Sequence, residues 1–248
     1  MSEIPKILLV GIGTAGSRAA FYLYQRGALE NGRILAVDSD QEQLQRLHTL
    51  DTLVVPPPPV LPAGVQAAQA REALETGLES RLQDCQMLMV VTCLGGNVCG
   101  FYAQVALGMA RSRGIPAVAV AALPHAFDST ECQERASQTL EVLFAQHYHV
   151  LALDCAQMGP LFPDPSRENA YEQAVRWIGE TAIGYLALFL QPRVDTRRRS
   201  DSEDRKRAME FDELPRGVFA ALRPVILNQQ NLDVPTCIRL KLDIPTLK

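Results

Sequence analysis

The opening segment constrains this chain most. Lys6–Val10 is an unbroken apolar run, the turn GIGTAGS follows, and Ala19–Gln25 carries apolar residues at helical spacing. A strand without polar alternation is expected where both faces of a sheet are covered, as in parallel α/β folds. Gly11-Ile-Gly13-Thr-Ala-Gly16 lies between that strand and that helix, where a GxGxxG spacing has a mechanical meaning. Glycines permit the tight turn and close backbone approach, and the helix N-terminus offers unpaired N–H groups and a positive dipole end to a phosphate. Gly11, Gly13, Thr14, Gly16 and Ser17 are therefore candidate nucleotide-binding residues. Asp38 closes the next apolar strand, RILAVD, at the place where a dinucleotide fold sets an acid against a ribose hydroxyl. Taken alone, these features suggest NAD.

The same alternation continues along the chain. Arg33–Asp38 reads as a strand, Gln41–Leu47 as a short helix and Leu53–Val55 as a short strand. Pro56–Pro59 with Pro62 cannot donate ladder hydrogen bonds and reads as surface loop. Ala67–Leu82 is expected to be helical, with Leu74, Leu78 and Leu82 on one face. Met87–Thr92, Ala117–Ala121 and Val150–Asp154 read as strands, and Tyr102–Arg113 and Glu131–Gln146 as helices. Asn169–Leu190 forms a long helix, apolar on most faces. Strands and helices at this spacing predict an α/β fold with a doubly wound parallel sheet. His147 and His149 are expected to share a strand face, without partners at metal-ligand spacing.

A second glycine turn, Leu94-Gly95-Gly96-Asn97-Val98-Cys99-Gly100, follows a buried strand and opens another helix. Two such turns at parallel strand ends lie on one edge of the sheet. That arrangement suits a polyphosphate on a single base better than NAD, and adds Gly95, Gly96 and Asn97 to the candidates. The six cysteines form no CxxC pair, and reduced, buried thiols are expected, including Cys93 and Cys99 beside this turn. The net charge of -4 gives no reason to expect nucleic acid as a partner, and no apolar run is long enough to span a membrane. The start lacks the pattern of a secretory signal, so a cytoplasmic location is expected.

From Gln191 the character changes. Residues 193–230 are expected to be a charged linker, with a possible short amphipathic helix at Phe211–Leu222. The last segment, 231–248, contains a direct repeat: LDVPT from Leu232 and LDIPT from Leu242. Two copies of a short binding peptide explain it, with avidity gained through effective concentration.

The order KILLVGIGTAGSRAA, ILAVDSDQEQL and MLMVVTCLGGNVCG…AALPHAFDS resembles the GTP-binding domain of the tubulin/FtsZ family, FtsZ in particular. The resemblance covers residues 4–192 and extends to the tail, where LDVPTCIR and LDIPTLK are similar to the FtsZ peptide that binds membrane adaptors and division regulators. It implies a GTPase-type Rossmann-like domain spanning 1–192, with GTP or GDP and Mg2+ as ligands; the alternative, an NAD(P)-binding Rossmann oxidoreductase or regulatory domain, rests on Gly11–Gly16 and Asp38. Pro124, Phe127 and Asp128 match a ribose-side loop, Asp154 a base-contacting position and Tyr171 an aromatic position on the base. The tail residues Leu232, Asp233, Pro235, Ile238, Leu242, Asp243, Ile244 and Pro245 match the adaptor peptide. The implied partners are a membrane adaptor or division regulator and FtsZ-like polymers or self, with recruitment to the membrane.

The chain departs from the family's pattern at several places. Ser17-Arg18 replaces Gly-Asn, the hydroxyl-rich second loop is lost after Gly96, and the Pro56–Pro62 segment replaces a third glycine loop. Arg176 stands roughly where an Asp reads guanine. Of the catalytic loop only Asp195 is matched, Arg198 replacing the second acid, and the family's second domain has no counterpart. Weak or no GTP hydrolysis is the expectation.

Overall fold

A computed structural model describes residues 6–29, 33–58, 64–157 and 166–190, and two short strands further on. The expected linker helix at Phe211–Leu222, Asp195 and the tail peptides lie outside the described residues. The chain divides into two compact units, Met1–Pro192 and Arg193–Lys248.

The first unit is a six-stranded parallel sheet flanked by helices. In chain order it runs β1 (Ile7–Ile12), α1 (Gly13–Gln25), β2 (Arg33–Asp38), α2 (Gln41–Gln45), β3 (Asp51–Val54) and α3 (Val65–Leu82). It continues with β4 (Met87–Cys93), α4 (Cys99–Ser112), β5 (Ala117–Leu123), α5 (Thr130–Ala145) and β6 (His149–Asp154). A single 3-10 turn, Cys155–Gln157, and the long helix α6 (Arg167–Leu190) follow. The strand order is β3-β2-β1-β4-β5-β6, and every pair is parallel. This is the doubly wound α/β architecture expected from the alternation. In the second unit, β7 (Ile226–Leu227) pairs antiparallel with β8 (Gln230–Asn231).

Alternate residues of β1 serve opposite layers. Ile7 and Leu9 join a core containing Ala19, Ala20 and Leu23 of α1 and Ile178, Ala182 and Leu186 of α6. Leu8, Val10 and Ile12 join the other, with Leu74, Leu78 and Leu82 of α3 and Tyr102 and Ala106 of α4. All six residues of β1 are buried, which is why the strand reads as one apolar run. Each fully buried leucine contributes roughly 1.5–3 kcal/mol by leaving water.

One expectation is corrected. His147 does not lie on a strand with His149, because β6 begins at His149 and His147 sits before it with φ 57°. It takes the left-handed position that closes α5: the amide of Tyr148 bonds back to the Leu143 carbonyl at 3.1 Å. The α1 helix also starts earlier than its apolar periodicity implies, since Gly13 to Gly16 form its first turn.

Candidate functional site

The two glycine turns close adjacent strands on one sheet edge. Ile12 at the end of β1 is the register partner of Thr92 in β4, and the Thr92 hydroxyl donates to the Ile12 carbonyl at 3.1 Å. Helix α1 starts directly after β1, and α4 follows β4 after the turn at residues 94–98. Neither Ile12 nor Val98, their N-caps, supplies a capping side chain, whereas Asp40 and Ser129 cap α2 and α5. First-turn amides without a side-chain acceptor are the groups that hold a phosphate.

The glycines themselves serve packing. A methyl group on Gly11 would lie 2.4 Å from the Gly16 carbonyl oxygen, and one on Gly16 would lie 2.4 Å from that of Val91. Gly13 has φ +74°, and a methyl there would meet the Cys99 thiol at 2.6 Å. That thiol also lies 3.0 Å from the space beside Gly96, so Cys99 fills the gap between the two turns. Gly95, with φ +100°, is closed on by Cys132 and Pro124. Burial raises the Cys93 and Cys99 thiols above their ordinary value, so neither is a ready nucleophile.

The structure brings several candidate polar groups close but satisfies most of them internally. The Thr14 hydroxyl donates to Asp38 at 3.1 Å, and Asp38, which is buried, also accepts the amides of Ser39 and Asp40. Ser17 is buried, its hydroxyl directed at the carbonyls of Gly11 and Val37 at 3.3 and 3.5 Å. Asn97 accepts from Arg135 of α5, which also donates to the Gly95 carbonyl at 3.0 Å. Asp154 accepts from Ala156 and Gln157 and so holds the 3-10 turn that follows β6.

An open cleft of about 490 Å³ lies between the first turn of α1, the α2 region and the start of α6. Thr14, Arg18, Arg46, Glu168, Tyr171 and Glu172 line it. Glu168, Tyr171 and Glu172 share one helical face by their spacing. Further along α6, Val175, four after Tyr171, is buried, while Arg176, four after Glu172, is exposed. Glu172, which lines this cleft, is in an ion pair with Arg18, whereas Arg176, the expected base-reading position, is not among the residues that line it.

The loop after β5 forms the other wall of the α6 start. The His125 amide donates to Asp128 at 2.8 Å, and the Tyr171 hydroxyl donates to the other Asp128 oxygen. His125 stacks on Phe127 with centroids 4.8 Å apart, and Tyr171 meets both rings edge-on. Burial and the Asp128 carboxylate push the Tyr171 phenol up to about 12. Among the described residues, His125 Nε2 is the buried side-chain polar atom left without a partner. The motif reading did not single out His125 or Arg135, and it met Arg18 only as a departure from the family's pattern.

The candidate ligands differ in fit. The uncapped α1 and α4 suit a phosphate chain, and the aromatic α6 start suits a base. No group of three His, Cys, Asp or Glu side chains able to hold a metal exists among the described residues. Asp38 is enclosed and already accepts three bonds, which fits the ribose role of an NAD site poorly. No described helix is long and apolar enough to cross a membrane.

No protein-family model matches the chain. The cell division protein FtsZ of Aquifex aeolicus is 29% identical over 143 residues, which is 56% of this chain and 39% of that protein. Among solved structures, an empty FtsZ dimer of M. jannaschii superimposes with a TM-score of 0.68 at 21% identity, covering 77% of this chain and 57% of that one. CetZ2 of Haloferax volcanii, solved as a GTPγS-bound protofilament, gives 0.62 at 24% identity, with 77% and 61% covered. The chain thus spans less than two thirds of the length of each relative. The sheet order and these likenesses agree on the fold: the chain has the parallel α/β fold of the solved FtsZ and CetZ structures, and over 143 residues its sequence is similar to FtsZ.

Proposed function

We propose that this chain binds a guanine nucleotide, hydrolyses it weakly or not at all, and acts in cell division or membrane remodelling through its tail peptides. The observation that carries the reading is the pair of glycine turns on β1 and β4, each opening a helix whose first-turn amides lack a capping side chain. Gly11, Gly13, Thr14, Gly16 and Gly95–Asn97 face the phosphates, while Asp128, Tyr171 and the Arg18–Glu172 pair serve the sugar and base. The relative solved with GTPγS in a protofilament supports the ligand class and association with like copies. Mg2+ arrives with the phosphates. Poor hydrolysis rests on the sequence after α6, where Asp195 keeps one acid and Arg198 replaces the other. A carboxylate that orients water has a general-base role that a guanidinium does not fill.

In this reading LDVPT and LDIPT recruit the cytoplasmic protein to a membrane through an adaptor, two copies on one chain adding avidity. Calorimetric titration with GTP, GDP, ATP and NAD tests the ligand class. Saturable binding of GTP and GDP with weaker ATP is expected; NAD binding without GTP binding would overturn the reading.

A further inference from the structure

Most polar groups around the glycine turns and the start of α6 already have partners within the protein; one does not, and one pairing beside it involves an exposed side chain. His125 is 5% exposed, and its Nε2 has no hydrogen-bond partner among the described residues. A buried polar nitrogen left unpaired costs roughly 1–3 kcal/mol, so a protein keeps one where something supplies the missing bond. Beside it, the half-buried Asp128 carboxylate is occupied by the Tyr171 hydroxyl, although Tyr171 is itself 42% exposed and lines the cleft. An exposed phenol gains little by leaving water for that carboxylate unless the place is one that accepts a hydroxyl.

We propose that Tyr171 is an internal plug: on Asp128 its hydroxyl takes the place of a ligand sugar hydroxyl, and its ring edge covers His125. The chemistry of the place defines the ligand. A carboxylate takes an O–H donor, the buried imidazole nitrogen takes a second polar group, and the Phe127 and Tyr171 rings offer faces to a flat heterocycle. Tyr171 borders the cleft that also reaches Thr14 and the uncapped first turn of α1, which takes an anion. A hydroxyl-bearing ring joined to a heterocycle on one side and a phosphate on the other is a ribonucleotide. When it enters, the sugar hydroxyl replaces the Tyr171 hydroxyl on Asp128, His125 Nε2 gains its partner, and the freed tyrosine ring turns onto the base. Empty, the site is closed by its own side chain, and ligand binding pays for breaking one charge-assisted bond.

This inference rests on the nucleotide reading, and the test separates the two. The full chain, its Tyr171→Phe variant and its His125→Phe variant are titrated calorimetrically with GTP and with 2′,3′-dideoxy-GTP. Tyr171→Phe keeps the ring and removes only the competing hydroxyl, so GTP should bind about tenfold tighter while the dideoxy nucleotide gains nothing. His125→Phe keeps the stack on Phe127 and removes the unpaired nitrogen; GTP affinity should fall about tenfold with no loss of folding stability. A near-ultraviolet difference spectrum on GTP binding should report the tyrosine hydroxyl leaving a carboxylate in the wild type and lose that signal in Tyr171→Phe. GTP binding that is unchanged or weakened in Tyr171→Phe, or strengthened equally for both nucleotides, overturns the plug and leaves the nucleotide reading standing. Binding of neither nucleotide by any of the three proteins overturns the nucleotide reading, and the plug with it. Binding seen only in Tyr171→Phe supports both.

Discussion

Arg18 on α1 and Glu172 on α6 form an ion pair at the mouth of the cleft, with side chains 44% and 42% exposed. At that exposure the pair is screened and worth at most about 1 kcal/mol. Glu172→Gln should therefore shift the urea unfolding midpoint very little. Its effect should fall on ligand choice, because Glu172 presents acceptor oxygens and Arg18 a donor fork where a purine edge would sit. The preference for GTP over ATP should drop several-fold, measured by competition titration; an unchanged preference would remove Glu172 from base reading.

Three glycines separate packing from backbone effects. Gly16→Ala sets a methyl 2.4 Å from the Val91 carbonyl oxygen, so α1 must shift off β4, costing about 2–3 kcal/mol. Gly27→Ala meets nothing within 4 Å but has φ +61°, so the cost is about 1 kcal/mol of backbone strain. Gly184→Ala, inside α6 and also in open space, should stabilise by roughly 0.5–1 kcal/mol. Chemical denaturation of the three variants checks the order and the change of sign.

Tyr102 is fully buried in the α3–α4 layer, and its hydroxyl donates to the Pro56 carbonyl at 2.6 Å. Tyr102→Phe leaves that carbonyl without its partner and should cost about 1–2 kcal/mol. Proteolysis at the segment after Pro56 should quicken in the variant if this bond anchors it.

Stability should fall in alkali. Burial, beside the Asp154 and Asp128 carboxylates, pushes the Cys155 thiol up to about 12 from 9.0. Burial alone pushes the Tyr102 phenol up to about 12 from 10.0. Between these values the folded chain keeps protons that the unfolded chain has released. Their contribution is therefore full below about pH 9 and is lost as the pH rises towards about 12. The urea midpoint at about pH 10.5 should lie below that at about pH 8; equal midpoints would show that these groups do not govern alkaline stability.

Removal of residues 231–248 should leave nucleotide affinity and the unfolding midpoint of the domain unchanged. Recruitment to an adaptor-bearing membrane should be lost, and deletion of one repeat alone should weaken it through reduced avidity. Unchanged recruitment after full deletion would sink the role given to LDVPT and LDIPT.

Much of the fold was legible because doubly covered strands are written as apolar runs. Arg33–Asp38 has the same ends in sequence and structure, and Met87–Cys93 extends its expected strand by one residue. The α3 stripe of Leu74, Leu78 and Leu82 is buried as its spacing implies. His147 misled because alternation with His149 resembles strand periodicity, while the helix end upstream required a left-handed residue there. The site was less legible. Motif spacing finds Gly11–Gly16 and Gly95–Gly96, but Arg135 reaches Gly95 from another helix, and Tyr171 reaches Asp128 across 43 positions. Such pairings follow from how helices dock on the sheet, which local sequence does not encode.

The crowding at Gly11 and Gly16 has an evolutionary consequence. Each glycine makes room for the protein's own backbone, so selection for folding preserves both even in a lineage that has abandoned its ligand. Drift would strike first at side chains facing the open cleft and last at the turn beneath it. Among relatives of this chain, a retained GxGxxG therefore records common descent, while the residues at Arg18 and Tyr171 should record whether the pocket is still in use.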